Sequence, residues 1–260
     1  MKPVIFNTND TSGDGQEYLV SVSDLMSGLL FLFIITLMVF VISFHEEKSK
    51  KEIETKKLQN IQEDLTDAKQ ARKELLEDLE KSLNKYGVKV RIDTEKGILH
   101  VPEDILFESG KADFNDTAER TLGKLAEILS LRLPCYSGKR DSNNPGQCEA
   151  GKFKPGRLEL VLVEGHTDNV PMGKNYYGFE DNWDLSAKRS IKTYQYLLKE
   201  QEDLTLLVNA DGVPLFGVSG YAETRPVIKH SEITPEPINR RIDLRFILAP
   251  PPVNSAEDTI

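Results

Sequence analysis

The feature that most constrains this chain is an apolar run of twenty residues, Leu25 to Phe44, without a charged side chain. At about 1.5 Å rise per residue, a helix of this length spans roughly 30 Å, the hydrocarbon thickness of a bilayer. A cleaved signal peptide has a shorter apolar core, a basic leader and a small-residue cleavage site. Only Lys2 is basic before the run, and no A-x-A pattern follows it. We therefore predict a retained transmembrane helix over residues 18–44.

Asp24 directly precedes this run, at a position where a carboxylate is energetically unfavourable unless it has a specific role. Placing an ionised carboxylate deep in a membrane costs roughly 2.5 to 3.5 kcal/mol on insertion scales. One interpretation is a helix N-cap at the interface, because Ser21, Ser23 and Asp24 are all good capping residues. The other is a functional carboxylate, because the apolar residues from Tyr18 onward extend the helix and place Asp24 more than a turn below its start.

The orientation depends on two opposing signals. Five lysines between Lys48 and Lys57 follow the span, and the positive-inside rule would keep the large part of the chain in the cytoplasm. That rule is weak for long translocated domains. Cys135 and Cys148 bracket a stretch rich in Gly, Ser, Asn and Pro, where a disulfide would restrain a loop in an oxidising compartment. Two unpaired thiols are the alternative. We predict a cytoplasmic N-terminal arm (1–17) and a periplasmic remainder.

Residues 45–87 predict a long helical stalk, because residues 46–86 contain neither Pro nor Gly and are rich in helix-forming residues. An imperfect heptad seam runs along them, interrupted at Arg72. It favours a parallel coiled-coil dimer, and an amphipathic helix lying on a partner is the alternative. The seam residues are Leu58, Ile61, Leu65, Ala68, Leu75 and Leu79.

The pattern changes at residue 88 to short strands and helices, which indicates a compact α/β domain over residues 88–249. We predict strands at 88–92, 97–101, 158–163, 215–221 and 241–248. Asp116 with Glu119 indicates the start of one helix, and Asp184 that of a second with a core stripe of Ala187, Ile191, Tyr194 and Leu198. The predicted fold is a mixed sheet with helices on one face. The polar tail over 250–260 is predicted to be disordered.

Asp168 and Arg189 are the candidate binding residues of this domain. Asp168 follows a buried strand, and Arg189 lies roughly 200° around its helix from the predicted stripe, which predicts that its guanidinium is available. An acid beside a fixed arginine suits a ligand carrying both an ammonium and a carboxylate. By itself, the pair is also compatible with a purely structural or incidental role.

Five ordered motifs extend this hypothesis. They closely resemble the OmpA-like peptidoglycan-binding domain, and two of them, GHTDNVP and NWDLSAKRS, are similar to the MotB family of stator proteins. The motifs are LFESGKADFN (106–115), EGHTDN (164–169), NWDLSAKRS (182–190), GYAETRPV (220–227) and NRRIDLRF (239–246).

The resemblance implies a βαβαβ-type sheet that grips the diaminopimelate of peptidoglycan. Asp168 would accept from its ammonium and Arg189 would hold its carboxylate, with Thr167, Asn182 and Arg240 lining the pocket. The stretch SDLMSGLLFLF also resembles the stator-family membrane helix, in which the aspartate corresponding to Asp24 carries the proton. The implied assembly is a homodimer in the bacterial inner membrane, surrounded by a MotA-like ring protein and attached to the wall.

The arm before the span is acidic, and a charged heptad helix occupies the plug region of flagellar stators. This departure favours ZorB, the MotB-like subunit of the Zorya anti-phage system, or a related ion-driven motor of unassigned role, over a flagellar MotB. A non-conducting peptidoglycan tether is a further alternative. We expect no enzymatic activity, cofactor, metal site or nucleic-acid partner, because the histidines are scattered and neither a P-loop nor a nucleophile elbow is present.

Overall fold

The computed structural model of the chain describes residues 13–108, 110–138, 148, 154–172 and 178–249, with the backbone alone for residues 13–21. The predicted tail over 250–260, the first part of the predicted arm and most of the loop between the two cysteines lie outside the described residues. The chain divides into two compact units, residues 1–60 and 61–260.

Helix α1 (Gly13–Lys85) contains the predicted membrane segment. Its most apolar window has a mean hydropathy of 2.8 and no buried residue, so by length and composition the helix can cross a membrane. The hydroxyls inside this segment donate to carbonyls of the preceding turn, Ser27 to Ser23 and Ser43 to Val39. Satisfying such polar groups within the helix itself is a requirement of a lipid environment.

The last part of α1 belongs to the core of the second unit. Its buried residues are at most 1% exposed and share one apolar cluster with the sheet and the helix that follows it; they are Ala71, Leu75, Leu76, Leu79 and Leu83. This differs from the predicted separate stalk over 45–87, because these leucines are covered by their own chain. The earlier seam residues Leu58, Ile61 and Leu65 are 40–61% exposed.

One five-stranded mixed sheet forms the centre of the second unit, as predicted. Its strand order is β1-β2-β5-β3-β4. Strand β5 pairs antiparallel with both β2 and β3, and β3 pairs parallel with β4. The strands are β1 (Arg91–Asp93), β2 (Ile98–Pro102), β3 (Leu158–His166), β4 (Phe216–Gly220) and β5 (Arg241–Leu248).

Helices α2 (Ala118–Arg132) and α3 (Asn182–Glu200) pack on one face of this sheet, which confirms the predicted fold class. The start of α2 differs in detail from the prediction. Asn115 Oδ1 accepts from the backbone N–H groups of Thr117 and Ala118, at 3.0 and 2.9 Å, in place of the predicted Asp116–Glu119 box. At α3, the Asp181 side chain accepts from the Asp184 N–H at 2.9 Å.

The buried face of α3 is not the predicted stripe. The residues that face the sheet are mostly small and polar, with Ser186, Ser190 and Thr193 at most 1% exposed, whereas Ile191 is 40% exposed. Small side chains are required because the helix lies against glycines of the sheet. A Cβ on Gly165 would lie 2.1 Å from the Ser186 carbonyl oxygen. Hydrophobic periodicity does not detect a buried helix face that is made of small polar side chains.

Cys135 and Cys148 form a disulfide in the structure. The segment after it contacts α1, because Lys154 Nζ and Arg157 Nη2 lie 2.7 and 2.9 Å from the two carboxylate oxygens of Asp67. The segment 154–157 therefore ties this part of α1 to the domain.

Candidate functional site

Three segments of the second unit meet at one edge of the sheet. Because β2 and β3 both pair antiparallel with β5, they run in the same direction and end where β5 begins. Arg241, the first residue of β5, lies opposite Pro102 on one side and His166 on the other. The residues just beyond this row are Glu103, Thr167 and Arg240, and the Glu103 N–H donates to the Arg240 carbonyl at 3.2 Å.

A cavity of about 490 Å³ lies at this edge. It is lined by all five residues proposed from the sequence: Thr167, Asp168, Asn182, Arg189 and Arg240. Glu103, which the sequence analysis did not single out, also lines it. Four charged side chains therefore share the cavity, and its remaining wall is largely apolar, with Val170, Pro171, Met172 and Leu185.

Asp168 pairs with Arg240. Arg240 Nη1 donates to Asp168 Oδ2 at 2.7 Å, and the N–H groups of Val170 and Glu236 donate to the same carboxylate, each at 3.2 Å. Asp168 is 6% exposed, whereas 29% of the Arg240 side chain is exposed. Asp168 is thus a fixed acceptor, and its arginine partner within the protein is Arg240.

Arg189 is buried, in contrast to the prediction that it leaves the core face. It is 2% exposed, and its Nη1 lies 2.7 Å from Glu103 Oε2. Its Nε and Nη2 donate to the carbonyls of Lys111 and Glu108 and to Glu103 Oε1. The reason is that α3 packs its small polar side chains against the sheet. This orientation of the helix places Arg189 at the cavity and not on the solvent side.

Thr167 and Asn182 support the acid side of the cavity. Asn182 Nδ2 donates to the carbonyl of Val170 at 3.0 Å, and Thr167 Oγ1 donates to the carbonyl of Asp168 at 3.0 Å. Both side chains therefore hold the loop that carries Asp168. Asn182 is at the first turn of α3, so the helix start is fixed to this loop.

The cavity contains two carboxylates and two guanidinium groups. Asp168 offers a negative site for an ammonium group, and the guanidinium groups offer donors for a carboxylate. Burial strengthens such interactions because the local dielectric is low. This arrangement suits a zwitterionic ligand and carries no arrangement of nucleophile and base among the described residues that line it.

A second buried polar cluster lies beside the site. His166, predicted to be a loop residue, is the last residue of β3 and is 2% exposed. Its Nε2 lies 3.3 Å from Asp243 Oδ2 and 3.8 Å from Glu164 Oε2. These atoms are close enough to hold a metal ion. The two carboxylates are already neutralised, however, since Arg241 contacts Asp243 and Arg245 contacts Glu164. We interpret the cluster as an ion-pair network.

Asp24 lies in α1, in the first unit, and its side chain is exposed in the isolated chain. Asp24 is not among the residues that line the cavity. Glu103 is the main residue that sequence reasoning missed. Its one signal in the sequence is that it directly follows an apolar strand, much as Asp168 does.

Comparisons with known proteins give structural similarity alone. Neither a scan against models of protein families nor a search of curated proteins gives a match. A putative MotB-like protein from Desulfovibrio vulgaris is similar at 20% identity and a TM-score of 0.48, over 73% of this chain and 99% of that one. The cell wall anchor of the type VI secretion system (T6SS) from Pseudomonas aeruginosa is similar at 21% identity and a TM-score of 0.42, over 67% of this chain and 96% of that one.

The periplasmic domain of Helicobacter pylori MotB gives 20% identity and a TM-score of 0.38, over 58% of this chain and 75% of that one.

Proposed function

We propose that this chain is a wall-anchored, ion-carrying subunit of a proton-driven motor in a bacterial inner membrane. The observation that carries the proposal is the convergence of two acid–arginine pairs in one cavity, Asp168 with Arg240 and Glu103 with Arg189. Three of the sequence motifs that resemble the OmpA-like domain supply all five predicted residues that line this cavity; they are EGHTDN, NWDLSAKRS and NRRIDLRF.

The ligand of the cavity is the zwitterionic end of diaminopimelate in peptidoglycan. Its ammonium group would lie against Asp168, which three hydrogen-bond donors hold in place. Its carboxylate would lie against the two guanidinium groups, and the apolar wall accommodates its methylene groups. Glycan and the rest of the peptide would remain outside the cavity.

The first unit supplies the membrane function. Phe31, Phe33 and Phe40 are 63–67% exposed, and the burial of such side chains in lipid is strongly favourable. Asp24 is the proton-carrying carboxylate at the start of this segment. One helix encloses no pore, so the path requires a homodimer of this chain inside a ring of a MotA-like partner. The N terminus would be cytoplasmic and residues 45–260 periplasmic.

Anti-phage defence of the Zorya type is the system we favour, with a flagellar stator as the alternative. The support is the acidic arm before the span and the charged helix after it. Neighbouring genes would discriminate, since helicase or nuclease genes indicate defence and chemotaxis genes indicate a flagellum.

Wall recognition is tested with purified sacculi of two chemistries. The full chain in detergent should sediment with walls that contain diaminopimelate and remain in solution with lysine-containing walls, because lysine lacks the carboxylate that the arginines would hold. Equal sedimentation with both walls would contradict the proposed site. A Zorya or flagellar role would not be affected by that result and would be tested by the neighbouring genes.

A further inference from the structure

Glu103 has one oxygen that the cavity leaves without a hydrogen bond. Glu103 is 5% exposed, and its Oε1 accepts from Arg189 Nη2 at 2.9 Å. Its Oε2 is fully buried and lies 2.7 Å from Arg189 Nη1 and 3.8 Å from Arg240 Nε, but no described residue forms a hydrogen bond with it. Such an atom is a place where a proton can be accommodated.

The charges that face Glu103 balance in the empty cavity. Arg189 comes from α3, Arg240 from the segment before β5, and Asp168 from the loop after β3. The neighbouring Glu108 and Lys111 side chains pair with each other at the surface. Two guanidinium groups therefore compensate two carboxylates. A zwitterionic ligand keeps the total charge at zero, but its ammonium would lie at Asp168, so its carboxylate would add a third negative charge directly beside the two guanidinium groups.

The ligand carboxylate and a protein carboxylate would then share the same two guanidinium groups. Keeping both ionised at close range is costly, which favours the uptake of a proton by one acid of the site. Both oxygens of Asp168 already accept hydrogen bonds from the protein, so a proton there would have to displace a donor. Glu103 has a buried oxygen without a hydrogen bond and loses part of its arginine partner when the ligand arrives. We propose that ligand binding places one proton on Glu103, an inference that rests on the proposed wall-binding function.

The proton comes from the solvent and binds to Glu103 Oε2. The neutral carboxyl group then donates a hydrogen bond to the ligand carboxylate, and Arg189 Nη1 turns from Glu103 to the same ligand group. Burial of Glu103 raises its pKa above the ordinary value, against the lowering effect of Arg189 and Arg240, which favours this uptake. The cavity would thus bind the wall more tightly as the medium becomes more acidic.

Calorimetry measures this uptake directly. The full chain in detergent is titrated with free meso-diaminopimelate at one pH, in two buffers that differ in protonation enthalpy. The difference in binding enthalpy gives the number of protons taken up, which we expect to lie between zero and one. The affinity should fall by up to tenfold per pH unit above the pKa of Glu103 in the free protein.

Two variants assign the proton. Glu103→Gln keeps the size of the side chain and should abolish both the uptake and the pH dependence. Glu95→Gln is the matched control, since Glu95 lies in the exposed β1–β2 turn at the opposite end of β2, and it should behave as the wild type. If Glu103→Gln does not fold, infrared difference spectra of the ¹³C-glutamate-labelled wild type should show a new protonated carboxyl band on ligand addition.

The outcomes separate this inference from the proposed function. If the wild type does not bind diaminopimelate, the proposed wall site is wrong. If the wild type binds with no proton uptake, or if Glu103→Gln takes up the same proton, the wall site stands and the role of Glu103 is overturned. Absence of the ¹³C-sensitive carboxyl band on ligand addition would overturn it as well.

Discussion

Glu103 and Arg189, 86 residues apart in the chain, face each other in the cavity wall with 2.7 Å between Oε2 and Nη1. Neither residue has more than 5% of its surface exposed. The pair joins the segment after β2 to helix α3, and Arg189 also donates to two carbonyls of the intervening loop. The same contact therefore has a structural and a ligand-binding consequence.

The structural consequence is a large loss of stability when one partner is removed. In Arg189→Met, Glu103 would remain buried without its main cation, which typically costs about 3–5 kcal/mol. We expect a loss of this size in the free energy of unfolding measured with urea. Arg120→Met, at an exposed position of α2, serves as the control and should change it by less than about 0.5 kcal/mol. Similar losses in both variants would contradict a special role for the pair.

The acid side of the cavity should affect ligand affinity more than stability. Asp168→Asn retains a polar side chain of the same size but removes the charge that would accept from the ligand ammonium. Because hydrogen bonds to charged groups contribute about 1.5–3 kcal/mol, we expect diaminopimelate affinity to fall by about tenfold or more. Calorimetric titration of the full chain measures this loss. Asp116→Asn, at an exposed position before α2, should bind as the wild type does, and unchanged affinity in Asp168→Asn would exclude the proposed contact.

Strand order explains why the sequence predicted part of this site and not all of it. Apolar strands and ordered motifs were sufficient to predict the mixed sheet and to select Asp168 and Arg240, which the structure brings to one cavity. The pairing of β5 between β2 and β3 is a long-range property, and only this pairing places Glu103 beside them. A glutamate next to an aspartate in the stretch VPEDILF has no local signal that distinguishes a buried residue from an exposed one.

Helix α3 shows a second limit of sequence periodicity. Ser186 and Ser190 face the sheet because Gly165 and Gly220 allow the helix to approach closely, so a polar side of the helix is buried. The stripe of Ala187 and Ile191 was therefore one position from the true buried face. That single step decides whether Arg189 points to solvent or into the cavity wall.

Acid should destabilise the second unit through Asp243. This fully buried residue contacts His100 Nδ1 at 2.6 Å and Arg241 Nε at 3.0 Å. Burial alone would raise the pKa of Asp243, but the contacts with His100, His166 and Arg241 lower it well below its usual range. A lowered pKa in the folded state gives stability that is present above the unfolded pKa of about 3.9 and lost as the pH falls below it.

We therefore expect Asp243→Asn to flatten the pH dependence of the unfolding free energy below about pH 4, whatever its effect at neutral pH. Urea denaturation over a pH series measures the slope. Asp211→Asn, at an exposed turn, should retain the slope of the wild type. An unchanged slope in Asp243→Asn would show that other carboxylates cause the acid sensitivity.

The disulfide should stabilise the second unit without contributing to the binding site. Cys135 and Cys148 are separated by 13 residues, and a loop of this length gives about 3 kcal/mol in the chain-entropy description. We expect the double variant Cys135→Ser, Cys148→Ser to lose about this amount of unfolding free energy and to retain diaminopimelate affinity. Reduction of the wild type with dithiothreitol should reproduce the loss. A variant as stable as the oxidised wild type would contradict this role.

Asp24 distinguishes a motor subunit from a passive tether, because only the motor requires a titratable group in the membrane segment. A charge that crosses 100 mV releases roughly 2.3 kcal/mol, and the neutral side chain of Asp24→Asn cannot take up and release a proton. We expect this variant to abolish proton flux in vesicles that also contain the ring partner, while expression and sedimentation with sacculi stay at wild-type levels. Asp24→Glu, which keeps a titratable carboxyl group one methylene longer, is the matched control and should retain part of the flux.

Loss of flux in Asp24→Asn with intact wall binding would locate the ion path at this residue, whereas wild-type flux in Asp24→Asn would refute that path. If neither the wild type nor the variants conduct and all bind the wall, the chain is a tether.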